Sequence, residues 1–452
     1  MNLSDEIRKQ KIAKLTAYDV RFPTSLTLDG SDAVHTDPDY SIAYVVLKLS
    51  DSPVEGHGFA FTIGNGTDIV VHAIESYRYL VEGRSLGDIY GNFGKFWRDL
   101  TNDSQLRWLG PEKGVVHMAC AAILNALWDA WGKLEKKPVW KLVSDFTPEQ
   151  LLSVIDFRYM TDAITQDEAL QILRTNESTK AQREQEILKT GIPAYVTSVG
   201  WMGYSDEKIK KRCEEGLAEG WKYYKMKVGV SVDDDYRRAK LIRSVIGYEN
   251  KLMMDANQVW DVQQAIDWMH KLAEFKPLWI EEPTSPDDVL GHEAVAKAMN
   301  PLGIGVATGE HCANRVMFKQ LITRGALQFC QVDGCRTGSI NELLSILLLA
   351  AKHKIPVCPH AGGVGLCELV QHISIFNYIC IAPTFENQMT EFANHLHEHF
   401  IAPVVMKNGR YHAPLVPGYS AELKKDSLEA HIYPHGSVWK ELTANGQHKP
   451  RH

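Results

Sequence analysis

The pattern of apolar residues along the chain changes partway, and the first part predicts strands followed by helices. Residues 12–22 and 40–49 are rich in Val, Ile and Tyr, which is typical of β-strands. Residues 114–136 instead place apolar side chains mostly three and four positions apart, which predicts a helix that ends before Pro138. We therefore expect residues 1–150 to form an α+β domain.

After about Pro193, short apolar runs alternate with amphipathic stretches of about ten to fifteen residues, the signature of parallel strands joined by helices. Eight runs in one array favour a closed (β/α)8 barrel over an open sheet. The runs are residues 194–199, 222–228, 251–255, 278–282, 303–309, 327–333, 355–359 and 375–381.

The predicted fold is therefore α/β, a TIM-type (β/α)8 barrel with an attached domain. We expect the N-terminal α+β domain over residues 1–150 and the barrel over residues 151–405. Prolines interrupt the alternation near the end of the chain, so residues 406–452 are expected to return to the first domain.

Composition and charge narrow the class of protein. The 452 residues are 44% hydrophobic and 23% charged, as in globular proteins. A formal net charge of -7 argues against non-specific binding of nucleic acid, and no apolar run approaches the roughly 20 residues that cross a bilayer. Eight scattered cysteines without a C-x-x-C pair, and no secretory signal, predict a cytoplasmic location, with a mitochondrial one left open.

Two lysines, Lys225 and Lys227, lie in an otherwise apolar and aromatic run. If the run is a strand, both lysines point to one face and Met226 points to the other. Lysine is rarely buried without a partner, because removing its ammonium group from water is costly. The run therefore predicts either an edge strand that faces water or a strand that faces anions.

Ionisable residues close the predicted strands at intervals of about one βα unit, and in a barrel such residues meet at one mouth, where active sites lie. These residues are Lys227, Asp255, Glu281, Glu310, Asp333 and His360, with Glu391 shortly after the eighth run. Asp255, Glu281 and Glu310 would repel one another unless a cation held them, and oxygen ligands favour Mg²⁺. The residues alone leave Glu282 as a rival to Glu281.

Groups suited to proton transfer are expected on two sides of this mouth. Asp333 can orient His360 and raise its basicity, which makes the two a plausible acid/base dyad. Lys227 is expected roughly across the barrel from His360, so a bound substrate would have one proton-transfer group on each side. Asn257, two residues after Asp255, would lie on the same face as that carboxylate.

The pattern closely resembles the enolase superfamily, mandelate racemase subgroup, over nearly the whole chain. The resemblance rests on Lys225-x-Lys227, Asp255-x-Asn257, Trp279-Ile280-Glu281-Glu282-Pro283-Thr284, Thr308-Gly309-Glu310, the dyad of Asp333 and His360, and Glu391. It implies that residues 1–150 are a capping domain with a substrate loop, that residues 151–405 are a modified TIM-type barrel that carries the catalytic residues, and that residues 406–452 return to the capping domain. It also implies that Glu281, rather than Glu282, is the metal ligand, and that each subunit binds one Mg²⁺. None of the expected catalytic residues is missing.

Within the subgroup, the chain is most similar to the L-fuconate dehydratase group, through residues 36–40, 107–114, 285–288 and 360–368. This resemblance implies substrate contacts from the capping loop, from the strand ends and from the turn after the seventh strand. The implied contact residues are Gly30, Ser31, Asp32, Tyr40, Lys225, Asn257, Glu310, His360, Ala361, Gly362 and Glu391.

The resemblance implies Mg²⁺-dependent dehydration of L-fuconate to 2-dehydro-3-deoxy-L-fuconate. Lys227 would remove the C2 proton, Mg²⁺ would stabilise the enediolate, and His360 would assist loss of the 3-hydroxyl, in keeping with enolase-superfamily sites generally. Lys225 is expected to favour the neutral amine of Lys227 by repulsion, and Glu391, if it is protonated, would donate a hydrogen bond to the substrate carboxylate.

Other functions remain open on the sequence. The protein could dehydrate another sugar acid, such as a galactarate- or arabinonate-like compound, or racemise a 2-hydroxy acid, or be a non-catalytic homologue, because fold alone does not fix function. We expect a small-molecule sugar acid as the partner, no nucleic acid or membrane, and a homo-oligomer.

Overall fold

The computed structural model describes residues 3–448, and it begins with a three-stranded antiparallel sheet in the order β1-β2-β3. The strands are β1 (Ile12–Arg21), β2 (Ser41–Leu49) and β3 (Glu55–Thr62). The helices of this part are α1 (Asp5–Lys9), α2 (Thr67–Ser76), α3 (Arg78–Val81), α4 (Leu86–Gly91), α5 (Phe93–Thr101), α6 (Leu106–Leu109), α7 (Gly114–Leu134), α8 (Val139–Ser144) and α9 (Pro148–Ser153).

Strand β3 was not predicted, and its glycines explain both the omission and the packing. Gly56 and Gly58 weaken the strand pattern, because glycine has no side chain that favours a pleated sheet. They also let β3 lie directly on α7. A Cβ atom at Gly58 would lie 2.3 Å from the backbone nitrogen of Ala126, and one at Gly56 would lie 2.4 Å from its carbonyl oxygen. The predicted strands at 12–22 and 40–49 and the helix at 114–136 are confirmed as β1, β2 and α7.

The second part is an array of parallel strands with helices between them, which confirms the predicted α/β fold. The strands are β4 (Ile192–Gly200), β5 (Tyr223–Lys227), β6 (Lys251–Asp255), β7 (Pro277–Glu281), β8 (Gly305–Thr308), β9 (Phe329–Cys330) and β10 (Thr390–Phe392). The helices are α10 (Gln166–Glu177), α11 (Lys180–Thr190), α12 (Asp206–Ala218), α13 (Val232–Ile246), α14 (Val262–Leu272), α15 (Val289–Met299), α16 (Arg315–Thr323), α17 (Ser339–Lys352) and α18 (Leu366–Phe376).

Regular pairing runs from β4 to β9, and β10 pairs in parallel with β4 on the other side. The predicted seventh strand, 355–359, lies between β9 and β10 without forming a regular ladder. Val357 makes one parallel bridge to Cys330, and the amide of Glu391 donates to the carbonyl of Pro359 over 3.2 Å. The seventh position of the predicted barrel is thus filled by a segment with isolated backbone contacts instead of a regular strand.

The predicted eighth strand is wrong, because residues 375–381 are helical. They cover the end of α18 and a π-helical turn at Asn377–Ile381. Every residue of this turn is buried, and an apolar run that is buried all round does not distinguish a helix from a strand. The eighth strand is β10, so Glu391 lies inside a strand rather than after one.

The last part of the chain contacts both preceding parts. A hairpin of β11 (Val405–Lys407) and β12 (Arg410–His412) pairs through β12 with β4. Helices α19 (Lys425–His431) and α20 (Ser437–Ala444) lie beside β1, where the indole of Trp439 donates to the carbonyl of Arg21 over 3.0 Å. Among residues 3–448, no helix combines the length and apolar character required to cross a membrane.

Candidate active site

Strand β5 places both lysines inside the protein, opposite carboxylates. Lys225 Nζ lies 2.6 Å from Glu281 Oε1, 2.8 Å from Glu391 Oε1 and 3.1 Å from Asp255 Oδ2. Lys227 Nζ lies 2.5 Å from the same Asp255 oxygen. Lys225 is only 1% exposed and Lys227 9%. The alternative of a strand face open to water is therefore wrong.

Strand register explains why the carboxylates meet. Lys227, Asp255 and Glu281 are successive partners across β5, β6 and β7, and Glu310 follows the end of β8. Asp255, Glu281 and Glu310 are buried, and each offers an oxygen atom within 4.8 Å of the others. Burial and the neighbouring charge of Asp255 raise the pKa of Glu281 well above its usual value. Three oxygen donors in mutual repulsion fit a hard divalent cation such as Mg²⁺.

The environment of Glu282 differs from that of Glu281, although the two residues are adjacent. Glu282 Oε1 lies 2.9 Å from the ring nitrogen Nδ1 of His311 and accepts a hydrogen bond of 2.9 Å from the side-chain amide of Gln258. Glu282 groups with His311 and Glu310, whereas Glu281 groups with Asp255. The geometry thus favours Glu281 for the three-carboxylate cluster.

Opposing effects act on the pKa of Lys227. Burial is the largest single effect and acts to lower this pKa, and the smaller repulsion from Lys225 acts in the same direction, as predicted. The attraction of Asp255, together with that of Asp32 and Glu310, outweighs both effects. The pKa of Lys227 is therefore raised above its usual value, so the repulsion from Lys225 has the predicted direction but does not decide the net shift.

His360 and Asp333 form the predicted pair. His360 Nδ1 lies 2.7 Å from Asp333 Oδ2, and the other Asp333 oxygen accepts from the amides of Cys335 at 2.6 Å and Arg336 at 2.8 Å. The second ring nitrogen, Nε2, lies 3.5 Å from Glu310 Oε2. Burial alone would lower the pKa of His360, but Glu310 and the Asp333 hydrogen bond raise it to about 9. The imidazole is thus held in a form that can donate a proton.

Glu391 acts here as an ionised acceptor. Its Oε2 accepts from the backbone amide of Ala361 over 2.8 Å, and its Oε1 pairs with Lys225. Burial opposes ionisation, but the charges of Lys225 and His360 hold the pKa of Glu391 below its usual value. These charges disfavour the protonated form of Glu391, on which the predicted hydrogen bond to the substrate carboxylate depends. Gly362 leaves space beside the dyad, because a Cβ atom there would lie 3.2 Å from His360 Nε2.

The capping loop reaches the site through a close backbone contact. Gly30 has a φ of 84°, and a Cβ atom there would lie 2.2 Å from the hydroxyl of Tyr40. Asp32 Oδ2 lies 2.9 Å from His35 Nδ1, and both residues line the cavity. Ser31 is not on the cavity wall among the described residues; its hydroxyl accepts from the amide of Gly203 over 2.9 Å and so links the loop to the barrel.

One cavity of about 280 Å³ collects most of the predicted residues. Asp255 and Glu281 lie beneath its surface, and the amide of Ala361 is turned to Glu391. The predicted residues on its wall are Gly30, Asp32, Tyr40, Lys225, Lys227, Asn257, Glu310, Asp333, His360, Gly362 and Glu391. Asn257 Oδ1 is buried and has no hydrogen-bond partner among residues 3–448, so its amide oxygen is available to a ligand.

Sequence reasoning missed several residues of the same wall. His311 and Arg336 are polar and follow strand ends, so extending the search a few residues past each strand would have found them. Most of the other missed residues are apolar and carry no such signal, because apolar side chains at helical or strand spacing indicate a core. They include Phe61, Ile63, Val70, Val115, Met118 and Trp201.

Comparison with known proteins identifies the family. Residues 208–427 match the model of the enolase C-terminal domain-like family. The chain is 56% identical to human mitochondrial enolase superfamily member 1 over 433 residues, 96% of this chain and 98% of that protein. The chain belongs to the enolase superfamily. The family prediction is therefore confirmed.

Other superfamily members extend the comparison. L-galactonate dehydratase from Hypocrea jecorina is 52% identical over 426 residues, which is 94% of each chain. The crystal structure of the human protein has a TM-score of 0.95 and covers 96% of this chain and 99% of its own. A racemase structure from Streptomyces coelicolor A3(2) with bound magnesium has a TM-score of 0.71 at 23% identity, covers 92% of this chain and 98% of its own, and shares the fold.

Proposed function

We propose that this protein is a Mg²⁺-dependent hydro-lyase that dehydrates a sugar acid, with L-fuconate as the substrate. One observation carries the proposal: Lys227 and His360 contact different carboxylates of the three-carboxylate cluster. Lys227 lies beside Asp255, and His360 Nε2 lies beside Glu310. A substrate held at the cluster would have a base on one side and an acid on the other, as elimination of water requires.

Asp255, Glu281 and Glu310 would hold the metal ion, and the unpartnered amide oxygen of Asn257 lies on the adjoining wall. Bound Mg²⁺ supplies Lewis-acid stabilisation of the negative charge that develops when C2 loses its proton. The donors on this chain are oxygen atoms, the ligand type that Mg²⁺ prefers. Lys225 lies next to the cluster and adds a fixed positive charge for the substrate carboxylate.

Lys227 takes the proton from C2, for which it has to be the neutral amine. Its neighbour Lys225 favours that form by repulsion, whereas the charge of Asp255 opposes it. The backbone of β5 fixes the position of both lysines, because they are alternate residues of one buried strand. Lys227 is 9% exposed and Lys225 only 1%. We therefore assign proton abstraction to Lys227 and carboxylate binding to Lys225.

His360 then donates the Nε2 proton to the 3-hydroxyl group. The C3–O bond breaks, its electron pair leaves with the oxygen, and water departs. The resulting enol gains a proton at C3 and loses one from the C2 hydroxyl, which yields a 2-keto-3-deoxy acid. Asp333 supports this step because its hydrogen bond to Nδ1 keeps Nε2 directed at the cavity. The net change is loss of one water, so no oxidant or reductant is needed.

The cap side of the cavity supports the choice of L-fuconate. L-Fuconate is the 6-deoxy form of L-galactonate, the substrate in the name of the Hypocrea jecorina relative. Its terminal methyl group suits an apolar surface better than a terminal hydroxymethyl group does, because an unpaired hydroxyl loses hydration. The apolar cap-side residues are Phe61, Ile63, Val70, Val115 and Met118.

The test is a comparison of sugar acids with Mg²⁺ and the purified chain. L-Fuconate, L-galactonate, galactarate and L-arabinonate are each incubated, and 2-keto-3-deoxy acids are detected with semicarbazide. We expect L-fuconate to have the highest kcat/KM. A 2-hydroxy-acid racemase would give C2 exchange in D₂O without any keto acid. Absence of keto acid from every compound, despite intact metal binding, would overturn the proposal.

The remaining expectations stay predictions. They are the cytoplasmic location, a sugar-acid partner without nucleic acid or membrane, and a homo-oligomer. The human relative carries the word mitochondrial in its name, so fractionation of cells that express the full chain is the appropriate test of location.

A further inference from the structure

Arg336 differs from every other charged side chain on the cavity wall in the described part of the chain. The other charged groups each lie within ion-pair distance of an opposite charge; the pairs are Asp32 with His35, Lys225 with Glu281 and Glu391, Lys227 with Asp255, Glu310 with His311, and Asp333 with His360. The Arg336 guanidinium instead contacts a carbonyl oxygen and a sulfur atom, and among residues 3–448 it forms no ion pair within 4.0 Å.

The base of the Arg336 side chain is nevertheless fixed. Its backbone amide donates to Asp333 Oδ1 over 2.8 Å, and its Nε donates to the carbonyl of Glu310 over 3.3 Å. Its Nη1 contacts Met118 Sδ at 3.6 Å, at the start of the capping-domain helix α7. The guanidinium therefore lies where the ends of β8 and β9 meet the capping domain, and Arg336 lines the cavity.

A guanidinium has five N–H donors in a planar fork and no acceptor, and it keeps its charge in proteins. Such a group on a cavity wall, without a carboxylate partner, is suited to binding acceptor oxygens of a ligand. The carboxylate end of the substrate is already served by Lys225 and the metal-binding cluster. The oxygens that remain for Arg336 are those on the carbons beyond C3.

We propose that Arg336 binds the distal oxygen atoms of the sugar acid and so selects substrates by chain length. These atoms are hydroxyl oxygens in a monocarboxylate such as L-fuconate, and they include carboxylate oxygens in a dicarboxylate such as galactarate. The inference rests on the proposed function, because it takes the position of the substrate carboxylate from it. It adds a binding residue that the strand-end pattern did not predict.

The experiment measures binding as well as turnover, with Arg336→Gln and Arg336→Lys. Calorimetry with Mg²⁺ present compares L-fuconate with the four-carbon acid of the same configuration at C2 and C3, and galactarate distinguishes a distal carboxylate from distal hydroxyls. Arg324→Gln is the matched control, since Arg324 is an exposed arginine whose partner, Glu293, is outside the cavity. Mn²⁺ binding and the melting temperature check that each variant is folded.

We expect Arg336→Gln to weaken L-fuconate binding at least tenfold and to change binding of the four-carbon acid less than threefold. Arg336→Lys should recover part of the loss. If galactarate loses affinity more than L-fuconate does, Arg336 contacts a distal carboxylate, which also supports the proposal. Equal losses of affinity for the long and the short acids would overturn the proposal. Arg336 would then serve only to hold Glu310 and Met118 in position.

Failure of this inference is distinguishable from failure of the proposed function. If the wild type binds L-fuconate but forms no keto acid, the proposed dehydration fails while the Arg336 comparison still decides between length selection and bracing. If the wild type binds none of the acids, both proposals are overturned. If it forms keto acid and Arg336→Gln leaves the length preference unchanged, only the Arg336 inference is overturned.

Discussion

The two walls of the cavity are built by different means. On the barrel side, charged side chains from successive strand ends pair with one another at short distances, as Lys225 does with Glu281 and Lys227 with Asp255. On the cap side, the wall is mainly apolar and comes from β3, α2 and α7, with Phe61, Val70 and Met118 as examples. The barrel wall thus supplies the reactive groups, and the cap wall supplies an apolar surface that shapes the cavity.

This difference has an energetic reason. Buried charges are costly unless each has a partner, so the barrel residues are interdependent and one substitution leaves a charge uncompensated. Apolar cap residues contribute independently. Replacing one of them changes the free energy of interaction with the substrate by only about 1–3 kcal/mol. We therefore expect substitutions on the barrel wall to abolish turnover, and substitutions on the cap wall to change the preferred substrate.

The largest effect is expected from Lys227→Met. Removal of the proposed base should lower dehydration by about 10⁴-fold, because a positioned general base contributes up to that factor. Exchange of the C2 proton in D₂O should disappear as well, as measured by proton NMR. Lys222→Met is the control, since Lys222 is exposed just before β5 and should leave turnover unchanged. Retained C2 exchange in Lys227→Met would show that another group removes the proton.

Glu281→Gln should have the next largest effect. The substitution removes one of three cluster carboxylates and leaves Lys225 with Glu391 and Asp255 as its remaining ion-pair partners. Loss of metal-ion stabilisation amounts to several kcal/mol, so turnover should fall by about 10³-fold. Calorimetric titration with Mn²⁺ should give a correspondingly weaker affinity. The adjacent Glu282→Gln is the matched control, and equal loss of metal affinity in both variants would contradict the separation of Glu281 from Glu282.

Asp333→Asn should separate the two halves of the reaction. Without the carboxylate at 2.7 Å, His360 loses its orienting partner and protonates the leaving hydroxyl less effectively. We expect dehydration to fall about 10²-fold while C2 exchange in D₂O continues, because Lys227 is untouched. Parallel loss of exchange and dehydration, with Mn²⁺ affinity intact, would mean that Asp333 also supports proton abstraction.

The barrel wall was largely predictable from the sequence, and the cap wall was not. The ends of parallel strands recur along the chain at intervals of one βα unit. Asp255, Glu281 and Glu310 could therefore be grouped before their positions were known. Phe61 and Met118 look like ordinary core residues, because only the docking of the capping domain turns them toward the cavity. Glu391 was recognised even though its strand was misplaced, since a buried helix and a buried strand share the same apolar run.

A cap-wall substitution should change selectivity instead of rate. Val70 is 3% exposed and lines the cavity, so Val70→Thr keeps the volume and adds a hydroxyl. We expect the ratio of kcat/KM for L-fuconate to that for L-galactonate to fall by about 3- to 10-fold, with little change in kcat. Val71→Thr, the next residue of α2, is the control because it does not line the cavity. A proportional fall for both substrates would contradict a role in selectivity.

The smallest effect on turnover is expected at a buried histidine outside the cavity wall, where a substitution should change stability instead. His372 of α18 accepts from the amide of Trp140 in α8 over 3.1 Å, and its other ring nitrogen lies 3.0 Å from the hydroxyl of Ser420. Burial disfavours the charged imidazolium and lowers the pKa of His372 to about 3. Unfolding restores an ordinary histidine pKa of about 6.5.

Below about pH 6.5 the unfolded chain therefore binds a proton at His372 that the folded chain does not bind until about pH 3. Stability from this group is complete above pH 6.5 and is lost as the pH falls, by about 2 kcal/mol between pH 7 and pH 5. His372→Gln should lower the melting temperature at pH 7 and make it less dependent on pH, measured by calorimetry. Exposed His353→Gln is the control, and an unchanged pH slope in His372→Gln would rule out His372 as the source.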